Sequence, residues 1–278
     1  MPLNADLHCH SSHSDGVLGA AALVRRAAGN GVELLALTDH DELAGLAEAR
    51  AEARRLGVRF VDGVEISVSW RDTTIHVVGL ALDANDPALV AGLAGIREGR
   101  VARARRISDA LAQVGFEGAL ERAAHFAGEG GLIGRTHFAR VLVERKAAAD
   151  VRGVFDHYLA SGKPGYVAHQ WAGLQEALAW IRGAGGLAVL AHPGRYRLST
   201  RARARLLGEF KDCGGAAIEV VSGSHTEEHA RKFARLARRF GLLGSRGSDF
   251  HAPGESRCEI GRVGALPEDI VPVWEAFA

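Results

Sequence analysis

The chain has 278 residues, a formal net charge of +1 and an apolar fraction of 47%. This length suits one large catalytic domain or one domain with an insertion, and the apolar content is sufficient for an extensive core. The near-zero charge excludes a global electrostatic attraction to nucleic acids or anionic membranes, so a polyanionic ligand would have to be bound locally.

Short apolar runs alternate with longer amphipathic segments along most of the chain. The short runs predict strands at residues 3–7, 33–38, 58–65, 74–80, 187–191, 216–221 and 242–245. The amphipathic segments predict helices at residues 18–30, 42–56, 174–183, 200–213 and 226–240. This alternation indicates parallel strands joined by crossover helices. Asp41 is expected to cap the second helix, because aspartate is a preferred residue at helix N-termini.

The segment 87–165 interrupts this alternation, since it contains no clear strand and its apolar residues recur at helical spacing. We expect a helical insertion here, between two parts of one barrel formed by residues 1–86 and 166–278.

Cysteine usage and the N-terminal segment bear on the cellular location. Cys9, Cys213 and Cys258 are far apart and form no CxxC pair, which is typical of the reducing cytoplasm. The N-terminal residues show no basic region followed by an apolar run, and no window is long and uncharged enough to cross a membrane. We therefore expect a cytoplasmic protein without a membrane segment.

A pair of histidines follows the first predicted strand. His8 and His10 are two positions apart, and alternate residues of a strand point to the same side. Their imidazoles can therefore lie side by side as metal ligands. Taken alone, the pattern fits two ordinary polar residues at a strand end equally well.

Further donors occupy similar positions along the chain, at the edge where a parallel sheet opens to solvent. Asp15 lies in a polar loop, whereas His76 lies within an apolar strand, where a single histidine is more often a core residue. The complete set of candidate ligands is His8, His10, Asp15, His40, Glu65, His76, His192, Asp249 and His251. Nitrogen and oxygen donors of this kind suit Mn, Fe, Zn or Mg. Nine ligands exceed the needs of one ion, so a bridging carboxylate would let two or three ions share them.

The order of these motifs resembles that of a known family. The set His8-x-His10, Thr38-Asp39-His40, Glu65, His76, His192-Pro193 and Ser248-Asp249-x-His251 resembles the PHP family, named for polymerase and histidinol phosphatase domains. The match extends from about residue 6 to residue 251. The helical insertion and the segments 134–137 and 192–196 look most like the bacterial branch that includes 3′,5′-nucleoside bisphosphate phosphatases and 5′→3′ exoribonucleases.

The resemblance implies an α/β fold, a distorted (β/α)7 barrel, with a trinuclear metal centre. It implies one ion bound by His8, His10, Glu65 and Asp249, a second by Glu65, His76 and His192, and a third by Asp15, His40 and His251. Mn²⁺ is the expected ion, with Fe²⁺, Zn²⁺ and Mg²⁺ as alternatives. Each ligand position of the family pattern carries a suitable ligand residue in this sequence, which argues against a non-catalytic member of the family.

By this resemblance we expect a phosphatase that removes the 3′-phosphate of 3′,5′-bisphosphonucleosides such as pAp, through attack by a metal-bridging hydroxide. The expected catalytic residues are Asp15, His40, Glu65, Asp249 and His251. The alternatives are a 5′→3′ exoribonuclease acting on short 5′-phosphorylated RNA, a phosphomonoesterase like histidinol phosphatase, and a non-enzymatic metal-stabilised module. We expect a nucleotide bisphosphate or short RNA as ligand, with no DNA-binding module and no obligate protein partner.

A bisphosphate carries a second phosphate that is not cleaved, and arginine is the preferred residue for holding it. Four arginines recur every third residue between positions 97 and 106. We expect Arg97 and Arg106 to lie on a solvated helix face. For Arg100 and Arg103 a solvated position and a contact with the substrate are about equally expected, and we keep both as candidate contacts. The expected substrate contacts are Arg100, Arg103, Gly134, Arg135, Lys163, Arg195 and His225. The insertion would then cover the active site and select the substrate.

Overall fold

The structure, a computed structural model, describes residues 3–128 and 131–277. Its sheet consists of β1 (Ala5–Asp6), β2 (Leu34–Leu37), β3 (Arg59–Trp70), β4 (Thr73–Leu80), β5 (Ala172–Gly173), β6 (Leu187–Leu190), β7 (Ala217–Ser222) and β8 (Leu243–Gly247). The α-helices are α1 (Ala20–Gly29), α2 (Leu46–Leu56), α3 (Pro87–Ala112), α4 (Ala119–Ala127), α5 (Arg135–Glu144), α6 (Val151–Val154), α7 (Leu174–Gly183), α8 (Thr200–Asp212) and α9 (Glu227–Phe240). A π-helical turn follows α6 at Phe155–Leu159, and a 3₁₀ turn lies at Val273–Ala276.

The strands form one mixed sheet in the order β1-β2-β3-β4-β6-β7-β8, with β5 attached to β3. The two ends of this sheet approach each other. The backbone N–H of Leu7 donates to the carbonyl of Arg246 at 3.1 Å, and the N–H of Asp249 donates to the carbonyl of His8 at 2.8 Å. These bonds bring the sheet close to a closed barrel, so the predicted distorted barrel is confirmed.

The expectation of parallel strands is wrong for β4, which pairs antiparallel with both β3 and β6. Only Arg71 and Asp72 separate β3 from β4, and so short a connection can join only antiparallel strands. The same hairpin corrects the predicted end of the third strand at Glu65. β3 continues to Trp70 because residues 63–70 pair with residues 73–80, which places Glu65 inside the strand.

The predicted start of the second helix at residue 42 is also wrong, and so is the capping role of Asp41. α2 begins at Leu46, with Gly45 as its N-cap. Asp41 is buried, and its carboxylate accepts hydrogen bonds from the N–H of Ser67 at 2.7 Å and from Nε of Arg100 at 2.8 Å. A buried carboxylate needs such donors, so Asp41 joins the barrel to α3 instead of capping α2.

The barrel interior is apolar on the side away from the predicted ligands. Its core contains Ala5, Leu7, Leu34, Ala36, Val78, Leu80, Val189, Ala191, Ala217 and Val273. Leu7 and Ala191 are immediately followed by the predicted ligands His8 and His192. The chain therefore passes directly from a dry core to the polar site at this edge of the sheet.

The segment 87–165 forms a helical layer, and none of its described residues belongs to a strand. Part of it packs around a cluster of its own, in which Leu111, Phe138 and Leu142 are fully buried. The first half of α3 instead packs against the barrel, since Leu89 and Leu93 share a core with α7. Across the described residues, every helix is too short or too polar to traverse a bilayer.

Two glycines provide a paired test of this packing. A Cβ at Gly223, just after β7, would lie 2.0 Å from the carbonyl oxygen of Ser248, whereas a Cβ at Gly208 in α8 would meet no atom within 4 Å. Gly223→Ala should therefore lower the free energy of unfolding by about 1–3 kcal/mol. Gly208→Ala should raise it by about 0.5–1 kcal/mol, because alanine favours a helix.

Urea unfolding followed by circular dichroism measures both changes. Equal stabilities of the two variants would contradict the close approach of β7 to the segment after β8.

Candidate metal centre

Glu65 lies at the centre of a buried group of imidazoles and is itself fully buried. Five histidine nitrogens surround its carboxylate: His40 Nδ1, His76 Nδ1 and His192 Nε2 at 2.8 Å, His8 Nε2 at 3.3 Å and His10 Nε2 at 3.4 Å. Glu65 pairs with Val78 on the neighbouring strand β4, and His76 lies two positions from Val78. Because alternate residues of a strand point to the same side, Glu65 and His76 both face the barrel interior. The predicted ligands from four separate parts of the barrel therefore meet at one carboxylate.

Asp249 forms a second point of convergence. Its Oδ1 lies 3.4 Å from His10 Nε2 and 3.6 Å from His8 Nε2. Its Oδ2 accepts a hydrogen bond from Nη1 of Arg195 at 2.7 Å. One oxygen thus faces the imidazoles while the other is held by a guanidinium.

Asp15 forms a third point. Its Oδ1 lies 3.3 Å from His251 Nε2 and 3.9 Å from His40 Nε2. Its Oδ2 accepts a hydrogen bond from the hydroxyl of Thr136 at 2.7 Å. Thr136 belongs to α5, so the helical segment contacts a predicted metal ligand directly.

The donor atoms of all nine predicted ligands fall into overlapping groups, within each of which they lie no more than 4.8 Å apart. The groups are His8, His10 and Asp249; His8, Glu65 and His192; His40, Glu65 and His76; and His10, Asp15, His40 and His251. This grouping differs in detail from the expected one, because His76 and His192 lie in separate groups that share Glu65.

Several of these donor atoms are buried and have no hydrogen-bond partner among the described residues, namely His8 Nε2, His10 Nε2, Asp15 Oδ1 and Glu65 Oε2. Leaving a buried polar atom unpaired costs about 1–3 kcal/mol. Divalent cations would satisfy these atoms together, and the nitrogen and oxygen donors match Mn, Fe, Zn or Mg. The residues present therefore fit a metal centre.

The protonation states of two ligands, Glu65 and His10, agree with this fit. Burial alone would raise the pKa of the Glu65 carboxyl, but interactions with His76 and His40 hold it well below its usual value. Burial, together with the charges of His251 and His40, lowers the pKa of His10 to about 3. Metal binding requires a deprotonated carboxylate and a neutral imidazole, and Glu65 and His10 provide them.

Glu219 is a functional residue that the sequence analysis missed. It is almost fully buried in β7, its Oε1 accepts from Nδ1 of His8 at 2.7 Å, and its Oε2 accepts from the backbone N–H of His192. Carboxylates that hold the second nitrogen of a ligating histidine fix the ring orientation and raise its basicity. The signal was available in the sequence as a single acidic residue inside the apolar run AIEVV.

Asp39, which follows β2, has a similar supporting role, because its carboxylate holds the loop that precedes Asp15. Its Oδ1 accepts from the N–H of Ser11 at 2.7 Å and from the hydroxyl of Ser14 at 2.6 Å. Asp39 therefore orders the loop that carries Asp15 but supplies no donor to the candidate metal groups.

Two predicted ligands have left-handed backbone conformations. His192 has a φ of 26° and Asp249 a φ of 53°. Non-glycine residues in this region are strained and concentrate at functional sites, where the surrounding structure holds them in place. For His192 that support includes the hydrogen bond from its N–H to Glu219.

A pocket beside the centre joins predicted ligands to predicted substrate contacts. Its lining includes Asp15, His40 and His76 on one side and Arg100, Arg103, Gly134 and Arg135 on the other. Trp171 also lines it, with the guanidinium of Arg100 4.9 Å and that of Arg103 5.2 Å from the ring centre.

The arginines of this pocket are crowded. Arg100 is paired with Asp41, whereas no carboxylate of the described residues lies within 4.0 Å of Arg103 or Arg135. Burial and the neighbouring charges of Arg135 and Arg100 lower the pKa of Arg103 to about 9. An anion bound here would relieve that repulsion.

Other predicted substrate contacts lie elsewhere. Lys163 is exposed and does not belong to the described residues that line the pocket. His225 uses both ring nitrogens on the backbone, with Nε2 accepting from the N–H of Gly194 at 3.1 Å and Nδ1 donating to the carbonyl of Val220 at 3.1 Å. His225 therefore holds the loop that carries Arg195.

Comparison with known proteins identifies the family. The PHP domain matches residues 6–184 of this chain. The chain belongs to the PHP family. It is 51% identical to a 3′,5′-nucleoside bisphosphate phosphatase of Chromobacterium violaceum, over 98% of this chain and 95% of the relative. It is 43% identical to the 5′-3′ exoribonuclease Rnm of Escherichia coli strain K12, over 98% of this chain and 93% of the relative.

A solved structure agrees with these relatives. An amidohydrolase from Chromobacterium violaceum, with bound sulfate and no metal, superposes with a TM-score of 0.96 and 50% identity, covering 99% of this chain and 95% of that one. The family and its named relatives identify the chain as a metal-dependent phosphoric ester hydrolase, so the prediction of an enzyme of this branch is confirmed.

Glu219→Gln tests the support of the metal centre. Both groups that donate to Glu219 are N–H groups, and an amide has one oxygen and cannot accept through its nitrogen. Either His8 or His192 should lose its partner, and metal affinity should fall roughly 10–100-fold. Isothermal titration with Mn²⁺ measures this loss.

The control is Glu209→Gln in α8, whose carboxylate accepts from Trp70 and Arg205 away from the centre. Wild-type metal affinity in Glu219→Gln would show that this carboxylate does not orient the ligands.

Proposed function

We propose that the enzyme hydrolyses the 3′-phosphate of 3′,5′-bisphosphonucleosides such as pAp, giving a nucleoside 5′-monophosphate and phosphate. The similarity to the bisphosphate phosphatase over nearly the whole chain supports this substrate class. The observation that carries the proposal is the shared pocket, because predicted metal ligands and a group of arginines line the same space. A substrate with two phosphates would place one at each side.

In this proposal Arg103 and Arg135 bind the phosphate that is not cleaved. Both guanidiniums reach the pocket, and the neighbouring Arg100 is held by Asp41. The N-terminus of α5 adds a partial positive charge, because Gly134, Arg135 and Thr136 line the pocket at the first turn of the helix. Arginine forks and helix N-termini are both suited to phosphate oxygens.

At the other side, the nine predicted ligands would hold the metal ions, which we propose to be three Mn²⁺ ions. Such ions lower the pKa of bound water and neutralise the phosphoryl oxygens. Glu65 would bind more than one ion through its two oxygens, while Asp15, His40, Asp249 and His251 hold the remaining positions. Arg195 keeps the Asp249 carboxylate oriented and has a side chain 48% exposed, so it can also contact the reacting phosphate.

The helical segment 87–165 would act in this scheme as a subdomain that covers the barrel and selects the substrate. Its contribution to the pocket comes from α3 through Arg100 and Arg103 and from α5 through Arg135. We also propose a cytoplasmic location, which the three unpaired cysteines support.

The second candidate is a 5′→3′ exoribonuclease that acts on short 5′-phosphorylated RNA. The similarity to Rnm over nearly the whole chain favours it. The same arginines would bind the 5′-phosphate, and the scissile 3′-phosphodiester would occupy the metal centre. The two activities therefore use one site and differ in whether a further nucleotide is attached to the scissile phosphate.

The substrate is tested by assaying pAp and a 5′-phosphorylated oligoribonucleotide side by side with Mn²⁺. We expect phosphate release from pAp with the larger kcat/KM, and loss of both activities after chelation, because the ligands alone cannot activate water. Faster release of mononucleotides from the RNA would favour the exoribonuclease. A chelator-resistant activity would contradict the metal-dependent reaction.

The phosphate pocket is tested by Arg135→Ala. Charge-assisted hydrogen bonds contribute about 1.5–3 kcal/mol, so KM for pAp should rise roughly 10–100-fold. KM for p-nitrophenyl phosphate should change little, because this substrate has no second phosphate.

Arg152→Ala is the matched control, since the Arg152 side chain on α6 is 77% exposed. Equal effects of Arg135→Ala on the two substrates would refute the assignment of this arginine to the second phosphate.

A further inference from the structure

Asp15 differs from the ligands that lie within a strand or directly after one. Its loop is ordered by Asp39 through Ser11 and Ser14, but these bonds do not reach the Asp15 carboxylate. That carboxylate accepts a hydrogen bond at Oδ2 from the hydroxyl of Thr136, at 2.7 Å. Oδ1 is thereby left facing His251 and His40, buried and without a hydrogen-bond partner in the described part of the chain.

Arg140 makes a second contact between α5 and the barrel. It is 6% exposed, and its Nη2 donates to Oε2 of Glu255 at 2.9 Å. Glu255 lies in the loop after His251, next to Ser256, whose hydroxyl accepts from the N–H of His251 at 2.7 Å. Arg140 therefore fixes the loop of a second ligand of the same group.

These two contacts come from one face of α5, because Thr136 and Arg140 are four residues apart. The helix is itself anchored. His137 Nδ1 accepts from the N–H of Gly134 at 3.0 Å, and the fully buried Phe138 packs in the core of the helical layer. The two loops also bind each other, since the N–H of Val17 donates to the carbonyl of His251 at 2.9 Å.

We propose that α5 acts as a clamp on the ion site formed by His10, Asp15, His40 and His251, with Thr136 and Arg140 as its positioning residues. This inference rests on the proposed metal-dependent reaction. Because Arg135 on the same helix lines the phosphate pocket, the clamp also joins substrate binding to this one ion site. Two other groups share Glu65, one with His192 and one with His76. Among the described residues, no side chain of these two groups accepts a hydrogen bond from α5.

The test compares metal binding in Thr136→Val, Thr136→Ser and Arg140→Gln with that of the wild-type protein. Thr136→Val keeps the shape of the side chain but removes its hydroxyl, whereas Thr136→Ser keeps the hydroxyl. Loss of a group that hydrogen-bonds to a metal ligand and orients it weakens metal binding roughly 10–100-fold. We expect one class of Mn²⁺ site to weaken by this factor in Thr136→Val and Arg140→Gln, with wild-type affinity retained in Thr136→Ser.

Arg122→Gln is the matched control, because Arg122 forms an exposed ion pair with Glu144 at the far end of α5 and, among the described residues, forms no ion pair with a barrel loop. Bound Mn²⁺ is measured by isothermal titration and by elemental analysis after dialysis, with thermal unfolding recorded alongside. Arg122→Gln should bind Mn²⁺ as the wild-type protein does.

Wild-type affinity in Thr136→Val and Arg140→Gln would overturn the clamp. So would a loss of all ions together with a lowered unfolding temperature, since that result indicates a general structural role. A wild-type protein that binds no Mn²⁺, Fe²⁺ or Zn²⁺ would instead refute the proposed function, so the two failures are distinguishable.

Discussion

The burial of the Glu65 carboxylate is the constraint on which the rest of the site depends. A buried carboxylate is strongly unfavourable unless positive charge or hydrogen-bond donors surround it. Here nitrogens of five histidines lie within 3.5 Å of it, and they come from segments spread between residues 8 and 192. Closing the sheet into a barrel is what brings these segments together. The fold and the metal centre are therefore consequences of the same geometry.

A second layer of carboxylates supports the first without binding metal. Glu219 orients His8 and the backbone of His192, Asp39 orders the loop of Asp15, and Asp41 holds Arg100. Each is buried and accepts hydrogen bonds from N–H or hydroxyl donors of neighbouring strands and loops or, for Asp41, also of α3. This arrangement explains why acidic residues occur within or directly after otherwise apolar strands. Replacing any of them with an apolar residue would leave buried donors unpaired.

The sequence was sufficient to predict the barrel and all nine residues that meet at the centre. Alternate spacing in His8-x-His10 and Asp249-x-His251 indicated metal ligands, and the order of the motifs carried the resemblance to the PHP family that implied the barrel. The reversed direction of β4 was not predicted, because the Arg71-Asp72 turn contains no glycine, proline or asparagine to mark a hairpin. The roles of Glu219, Thr136 and Arg140 each include a contact with a residue more than a hundred positions away. Spacing along the chain carries no signal for such contacts.

In the proposed function, the chemistry and the choice of substrate come from different parts of the chain. The barrel supplies the donors, while α3 and α5 supply the arginines of the pocket and, through Thr136, a direct contact with Asp15. The proposed reaction therefore requires both parts to be correctly placed.

We propose that Glu65 is shared between metal ions. This sharing is tested by anomalous diffraction from crystals grown with Mn²⁺, recorded at the manganese absorption edge. We expect at least two anomalous peaks within bonding distance of the Glu65 carboxylate, one on each side of it. A single peak remote from Glu65, or no peak in the barrel, would contradict it.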